Sequence, residues 1–243
     1  MDPPATARRA ALLFLLLAAL AWLAVQRGWV EVPPRHNPWA PLDLEATPNW
    51  LTGWKLSRAT ADDARCMQVL EQAAMAWVDL PDRVTGPGCG FSNAVRIDRT
   101  RFRVGEPFPL TCRAAVSLAL WEAHVLEPAA REHLGSDLVA IEHYGSYACR
   151  NVYGRETGRR SQHATADALD VAGFRFSDGR RVRVLADWDA RALVDGEASP
   201  EARFLLAAHR GACRFFDAVL GPEYNRAHAD HFHVDRGGFR ACR

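Results

Sequence analysis

Two short segments of this 243-residue chain carry most of the residues able to do chemistry. The first is Ser161-Gln-His163-Ala-Thr-Ala-Asp-Ala-Leu-Asp170, and the second is His228-Ala-Asp230-His231-Phe-His233. Four of the nine histidines fall in these two stretches. Imidazoles and carboxylates are the donors of a catalytic zinc site, which takes three protein ligands and keeps one position open. His231 and His233 are two residues apart, so on a strand both side chains point to one face. His163 and Asp170 are separated by an odd number of positions. A turn must therefore lie between them if both are to meet one ion, and the small Ala164, Ala166 and Ala168 suit a tight turn.

The elements that must position these residues are legible as periodicity. Asp62 to Val78 has a helical pattern, with Cys66, Val69 and Leu70 on one side. Gly86-Pro-Gly-Cys89-Gly reads as a turn, and Ala94 to Ile97 alternates as a strand. Thr111 is placed to cap a helix from Cys112 to Leu126, followed by a second from Pro128 to Leu134 that Gly135 ends. Leu138 to His143 and Leu169 to Phe176 read as strands. Ser177-Asp178-Gly179 is a hairpin turn leading to a returning strand, Arg181 to Leu185. Pro200 opens a helix expected to reach Leu220, closed by Gly221-Pro222, and His231 to Asp235 forms a last short strand. The expected class is α+β, with a small antiparallel sheet carrying the histidines and helices packed against it.

The bulk properties set the surroundings. About half of the residues are apolar and the formal net charge is +1. The chain can bury one core of ordinary size, and a nucleic-acid partner has no electrostatic support. Arg8 and Arg9 precede an apolar run from Ala10 to Val25, with Arg27 after it. This pattern over residues 1–30 predicts an uncleaved signal anchor with the arginine pair inside, and a cleaved signal peptide is the alternative. Prolines at 33, 34, 38, 41 and 48 make residues 31–50 an extended tether, with the folded domain expected over 51–243. Six cysteines (Cys66, Cys89, Cys112, Cys149, Cys213 and Cys242) contain no Cys-x-x-Cys pair. They predict three disulfides in an oxidising compartment, although six cysteines allow 15 pairings.

The order Ser-x-His-x6-Asp followed by His-x-His resembles the LAS group of zinc peptidases (lysostaphin, D-Ala-D-Ala carboxypeptidases and hedgehog). Gly145-Ser-Tyr-Ala-Cys-Arg150, Leu220-Gly-Pro222 and the terminal Cys242-Arg243 resemble an extensin-like C-terminal family across roughly residues 50 to 243. The resemblance implies His163, Asp170 and His233 as Zn2+ ligands. His228-x-x-His231-x-His233 is similar to the spacing in murein D,D-endopeptidases of that group. It leaves three candidates for proton transfer: His231 first, then Asp230 and His228. The implied function is a zinc-dependent peptidoglycan peptidase, most simply an endopeptidase, exported to the periplasm and anchored in the inner membrane. The alternative is a weakly active or inactive wall-binding scaffold on the same fold. Arg150 either pairs with a substrate carboxylate or braces the backbone near Cys149. Ser161 either contacts the site or caps the turn. Two departures stand out: Asp230 stands where the resembled pattern has Glu, shortening the reach by one methylene, and Ala166 occupies a position usually held by Gly, which costs stability if the backbone there needs φ > 0. His36, His124, His133 and His209 lack such company and read as surface or core residues. His143 ends a strand near the cleft segment, and Trp121 and Trp188 read as core or rim.

Overall fold

The computed structural model describes residues 5–189 and 198–243. The chain divides into two compact units, Met1–Pro41 and Leu42–Arg243. In the first, α1 (Ala5–Gln26) contains a stretch from Thr6 to Gln26 that is long and apolar enough to cross a membrane. Its leucines and Phe14 are exposed within the unit, as a membrane anchor or a signal sequence would have them.

The second unit begins with Leu42 and Leu44, which are buried in its core. Two short helices follow, α2 (Thr52–Ala59) and α3 (Asp63–Leu70). Asp62 caps α3 by accepting from Arg65 N at 2.8 Å. The helix expected to reach Val78 stops at Leu70, because Ala76–Leu80 is a strand, β1. Trp77 and Val78 suit a pleated surface, and β1 pairs along its length with β4 (Ala94–Arg99). β4 in turn pairs with β5 (Phe108–Thr111), completing a three-stranded antiparallel sheet. Between β1 and β4, the predicted turn at 86–90 joins β2 (Arg83–Gly86) to β3 (Cys89–Phe91) as a separate hairpin.

α4 (Cys112–Trp121) is almost wholly buried and runs through one π-helical turn, Glu122–Leu126, into α5 (Glu127–Leu134). Pro128 has no N–H to offer the preceding turn, so the widened turn lies where the regular ladder loses a donor. Gly135 ends α5 at φ 61°, the left-handed cap that glycine accepts most readily.

The main sheet has β6 (Leu138–Gly145), β7 (Ala168–Phe176), β10 (Phe232–Asp235), β9 (Ala218–Leu220) and β11 (Ala241–Cys242) in that order, with β8 (Arg181–Arg183) also paired to β7. All pairings are antiparallel except β11 with β9. The sheet is thus larger than the small one expected, and one edge is parallel. α6 (Val184–Asp187) ends the returning strand at Arg183, earlier than Leu185. α7 (Pro200–Ala212) also stops short of Leu220. Ala218-Val-Leu220 instead supplies β9, whose pairing with β10 satisfies backbone groups that a longer helix would leave outside the sheet.

Three disulfides form: Cys66–Cys112, Cys89–Cys149 and Cys213–Cys242. Trp121, Phe174, Phe204 and Phe232 are fully buried in the shared core. Trp121 Nε1 donates to the Ala208 carbonyl at 2.9 Å, so its polar atom is satisfied.

Glu122 is an acid sunk into this core, with a relative exposure of 1%. Its Oε2 accepts from Arg101 N at 3.2 Å, while Oε1 has no partner among the described residues. Burial raises its carboxyl to about 8, more than the hydrogen bonds lower it. The folded protein then keeps a proton that the unfolded chain releases near the ordinary value of 4.5, so stability falls as pH rises from there through 8. We expect Glu122→Gln to remove that part of the slope. Thermal melts should show the variant gaining at least about 2 °C on the parent between pH 5 and pH 8. A constant difference across that window would refute the assignment.

Candidate metal centre

β7 and β10 pair in a register that sets Asp170 directly opposite His233. On β10, Phe232 and Val234 face the core, so His231, His233 and Asp235 share the other face. On β7, Leu169 and Val171 likewise face the core and Asp170 takes the cleft side. His163 arrives from outside the sheet, on a 3-10 turn, Gln162–Thr165, whose N-cap is Ser161. The turn between the two segments is therefore present. Ala166 ends it at φ 54°, so the left-handed conformation falls on a fully buried alanine.

Asp167 locks the turn from behind. Its buried carboxylate accepts from Arg113 Nε and Nη2 at 2.7 and 2.6 Å, from Thr111 Oγ1 at 2.7 Å and from Thr165 Oγ1 at 2.8 Å. Thr111 therefore spends its hydroxyl on Asp167 and makes no side-chain cap to α4. Gly237 permits the close approach on the other side, because a Cβ there would lie 2.2 Å from Gln162 Cδ.

The three predicted ligands converge. His163 Nε2 lies 3.1 Å from Asp170 Oδ1 and 3.1 Å from His233 Nδ1, and the last two atoms are 2.9 Å apart. Their outer partners fix which atoms carry hydrogens. His163 Nδ1 is 3.1 Å from the Ser146 carbonyl, which only accepts, so Nδ1 holds the proton and Nε2 presents a lone pair. His233 Nε2 is 2.9 Å from Asp235 Oδ2, so Nε2 donates, and in the neutral ring Nδ1 presents its lone pair. Asp235 is held in turn by Gly237 N at 2.8 Å. With both rings neutral, two imidazole lone pairs and a carboxylate oxygen thus face one another in a buried space, an arrangement that suits a cation between them.

The titration directions say the same. Burial alone would raise the Asp170 carboxyl, but hydrogen bonds to His163 and His233 outweigh it and hold the group far below its ordinary range. Burial alone would lower His233, but Asp170 and Asp235 outweigh it and push the ring up to about 9. Both shifts report a site that favours positive charge. Two imidazoles with fixed tautomers, one carboxylate and outer acceptors on each ring make a donor set that fits zinc.

The other three predicted residues gather here but differ in placement. His231 Nε2 lies 3.5 Å from Asp170 Oδ1, while its Nδ1 meets Asp230 Oδ1 at 2.8 Å. Asp230 stands behind His231, more exposed, and Tyr144 also hydrogen-bonds to it. His228 stacks against the rings of His231, His233, Tyr153 and Tyr224. Its Nδ1 is 2.8 Å from Asn225 Oδ1, which also accepts from Ala227 N, so Nδ1 carries the hydrogen and Nε2 is an acceptor. Burial, then the neighbouring His233 and His231, lower the His228 ring to about 4. Arg150 and Ser161 both line the cleft, of about 370 Å3, into which the centre opens.

Sequence reasoning passed over Asp235 and Ser146. Asp235 was within reach, since it continues the alternation of His231 and His233. Ser146 acts through a backbone carbonyl, which leaves no trace in residue type. The remaining histidines lie elsewhere. His143 bonds the Glu106 carbonyl and packs on Phe108, outside the cleft lining. His209 is a core residue against Trp188 and Phe232. His209 also lies near Cys213 and Cys242, but those sulfurs are bonded to each other and offer no thiolate.

Residues 64–243 match the family described as extensin-like protein C-terminus, and the chain belongs to that family. No curated protein and no solved structure matches the chain.

Two outcomes follow from this geometry. Replacing Asp235 by Ala frees the His233 ring to turn and should weaken divalent-metal binding about 10–100-fold, as loss of an outer partner does. Metal competition against a chromogenic chelator would measure it, and unchanged affinity would contradict the tautomer argument. At Ala166, a left-handed alanine costs roughly 1–2 kcal/mol. Its buried methyl returns about 0.8 kcal/mol, and glycine would add roughly 0.4–1 kcal/mol of unfolded-chain entropy. Ala166→Gly should therefore change the melting temperature by no more than about 3 °C. A much larger gain would mean that the strain is uncompensated.

Proposed function

We propose that the protein is a zinc-dependent peptidoglycan peptidase, an endopeptidase cutting an amide in the stem peptides or their cross-links. The observation that carries this reading is the convergence of two tautomer-fixed imidazoles and one carboxylate beside a histidine–aspartate pair in an open cleft. His163, Asp170 and His233 would hold the ion, and the LAS-like arrangement of these residues belongs to the same proposal. Bound there, zinc supplies Lewis acidity toward an amide carbonyl and lowers the pKa of water to about 7.

The chain's own residues divide the remaining work. His231 is the general base, because its Nε2 faces the centre while Asp230 fixes the ring through Nδ1. Asp230 is a positioning residue, since its carboxylate lies on the far side of that ring from the ligands. A proton taken at His231 Nε2 is stabilised by Asp230 and can pass to the departing amine. His228 offers an acceptor at Nε2, suited to orienting a donor group on the substrate. The buried walls keep bulk water from His163 and His233.

The remaining features agree with that setting. An apolar N-terminal helix and three disulfides suit export to the periplasm, with α1 as an uncleaved anchor in the inner membrane. The proline-containing residues up to Pro41 would link that anchor to the catalytic unit.

Zinc content and muropeptide digestion, read by mass spectrometry, test the reading together. The parent should bind one zinc and release new peptide termini, and His163→Ala should lose both. His231→Ala should lower kcat by roughly 10²–10⁴ with zinc retained, the range of a general base. Stoichiometric zinc with no bond cleaved in stem or cross-bridge would reject the enzyme and favour a wall-binding scaffold.

A further inference from the structure

One wall of the cleft is a short antiparallel hairpin. Ser161 N donates to the Arg150 carbonyl at 3.1 Å, Val152 N donates to the Arg159 carbonyl at 3.0 Å, and Asn151 pairs with Arg160. Alternation then sorts the side chains between two faces. Asn151 and Arg160 share the back: Arg160 Nη1 donates to Asn151 Oδ1 at 3.0 Å, and Nε and Nη2 donate to the Pro87 carbonyl at 3.0 and 2.7 Å. Arg150, Val152, Arg159 and Ser161 take the front, and all four line the cleft.

The front therefore brings two guanidinium groups into a cleft whose acids are already engaged. Asp170 and Asp235 are held by histidines. Among the described residues, neither Arg150 nor Arg159 has a carboxylate partner. Arg101, Arg113, Arg131, Arg175, Arg180 and Arg181, by comparison, are each paired with an acid. Arg159 instead sits 6.0 Å over the Phe239 ring, a stacking partner that leaves the edge of its guanidinium fork open. The hairpin is also braced. The Cys89–Cys149 disulfide fixes the residue before Arg150, and Tyr153 Oη accepts from Asn225 Nδ2 at 2.9 Å.

We propose that Arg150 and Arg159 form a carboxylate-binding subsite, so that the cleft takes a peptide with a free carboxylate near the amide presented to the metal centre. The placement of that amide rests on the metal-centre reading; the carboxylate contact does not. A guanidinium binds a carboxylate through two parallel N–H donors, so recognition is directional and is lost when the carboxylate becomes a neutral amide. The carboxylate is either the peptide's own terminus or an acidic side chain, since both present the same two oxygens.

Three small probes separate these cases: N-acetyl-alanyl-alanine, its C-terminal amide, and N-acetyl-alanyl-glutamic acid α-amide, each in both enantiomeric series. Binding is measured by calorimetry on the zinc-loaded full-length protein in non-ionic detergent. We expect one of the acids to bind at least about tenfold tighter than the neutral amide, as charge-assisted hydrogen bonding implies. The tighter acid names the source. Arg159→Ala and Arg150→Ala should each remove most of that preference while leaving the neutral amide's affinity unchanged. Arg155→Ala takes a charge from the same hairpin, outside the cleft lining, and should keep the preference. His163→Ala should also keep it, whether or not the metal reading survives. Equal binding of all three probes overturns the proposal. So does an Arg155→Ala effect as large as that of Arg159→Ala. Loss of the preference in His163→Ala overturns it too, by assigning the carboxylate to the metal.

Discussion

Everything in the cleft depends on keeping three electron-rich atoms about 3 Å apart: His163 Nε2, Asp170 Oδ1 and His233 Nδ1. Left alone they repel one another, and a flexible chain would swing them apart. The protein prevents this by giving each imidazole a second partner on its far side, the Ser146 carbonyl for His163 and Asp235 for His233. These partners also decide the tautomers, so in the neutral rings both inner nitrogens turn lone pairs inward. Positive charge relieves the repulsion, either as a proton held on His233 or as a metal ion among the three atoms. Burial sharpens the requirement, because in a low-dielectric space neither a bare carboxylate nor a facing lone pair can be solvated by water.

The fold is arranged to make that convergence rigid. Two of the three ligands lie across one antiparallel pair, β7 with β10, where register alone fixes their separation. Register could not fix the third, because His163 lies on a turn outside the sheet. Its position comes instead from a polar cluster behind it, in which Asp167 accepts from Arg113, Thr111 and Thr165. These come from β5, α4 and the turn itself, so the three-stranded half of the domain is coupled to the site. The Cys89–Cys149 disulfide and the Arg160–Pro87 contact do the same for the β2–β3 hairpin, which braces the cleft wall from the back. Elements that touch no ligand still determine where ligands sit.

This division explains what could be read from the sequence. Strand alternation and the spacing of His231 from His233 are local, and so is the need for a turn between His163 and Asp170; all three were legible. Ends of elements were less so. The runs 71–78 and 213–220 keep enough apolar periodicity to pass for helix, yet both contain strands, because pairing with β4 and β10 outweighs local preference. Leu42 and Leu44 pack into the core from within a proline-containing stretch, where composition alone suggested a tether. The disulfide partners were hidden because pairing is a property of the folded chain. Arg159 was hidden for a related reason: it faces the cleft only after residues 150–152 and 159–161 pair, and that pairing includes a loop with Tyr153 at φ 59°.

The two departures from the resembled pattern have different physical weights. Ala166 puts a methyl where the backbone prefers none, but the methyl is fully buried and recovers part of the strain. Asp230, a carbon shorter than the glutamate of the resembled pattern, reaches His231 Nδ1 at 2.8 Å rather than the centre itself. On the proposed mechanism, Asp230 leaves the proton work to His231 and keeps the tasks of orienting the imidazole and stabilising it when charged. The departure therefore reassigns a role within the site without opening a gap in it.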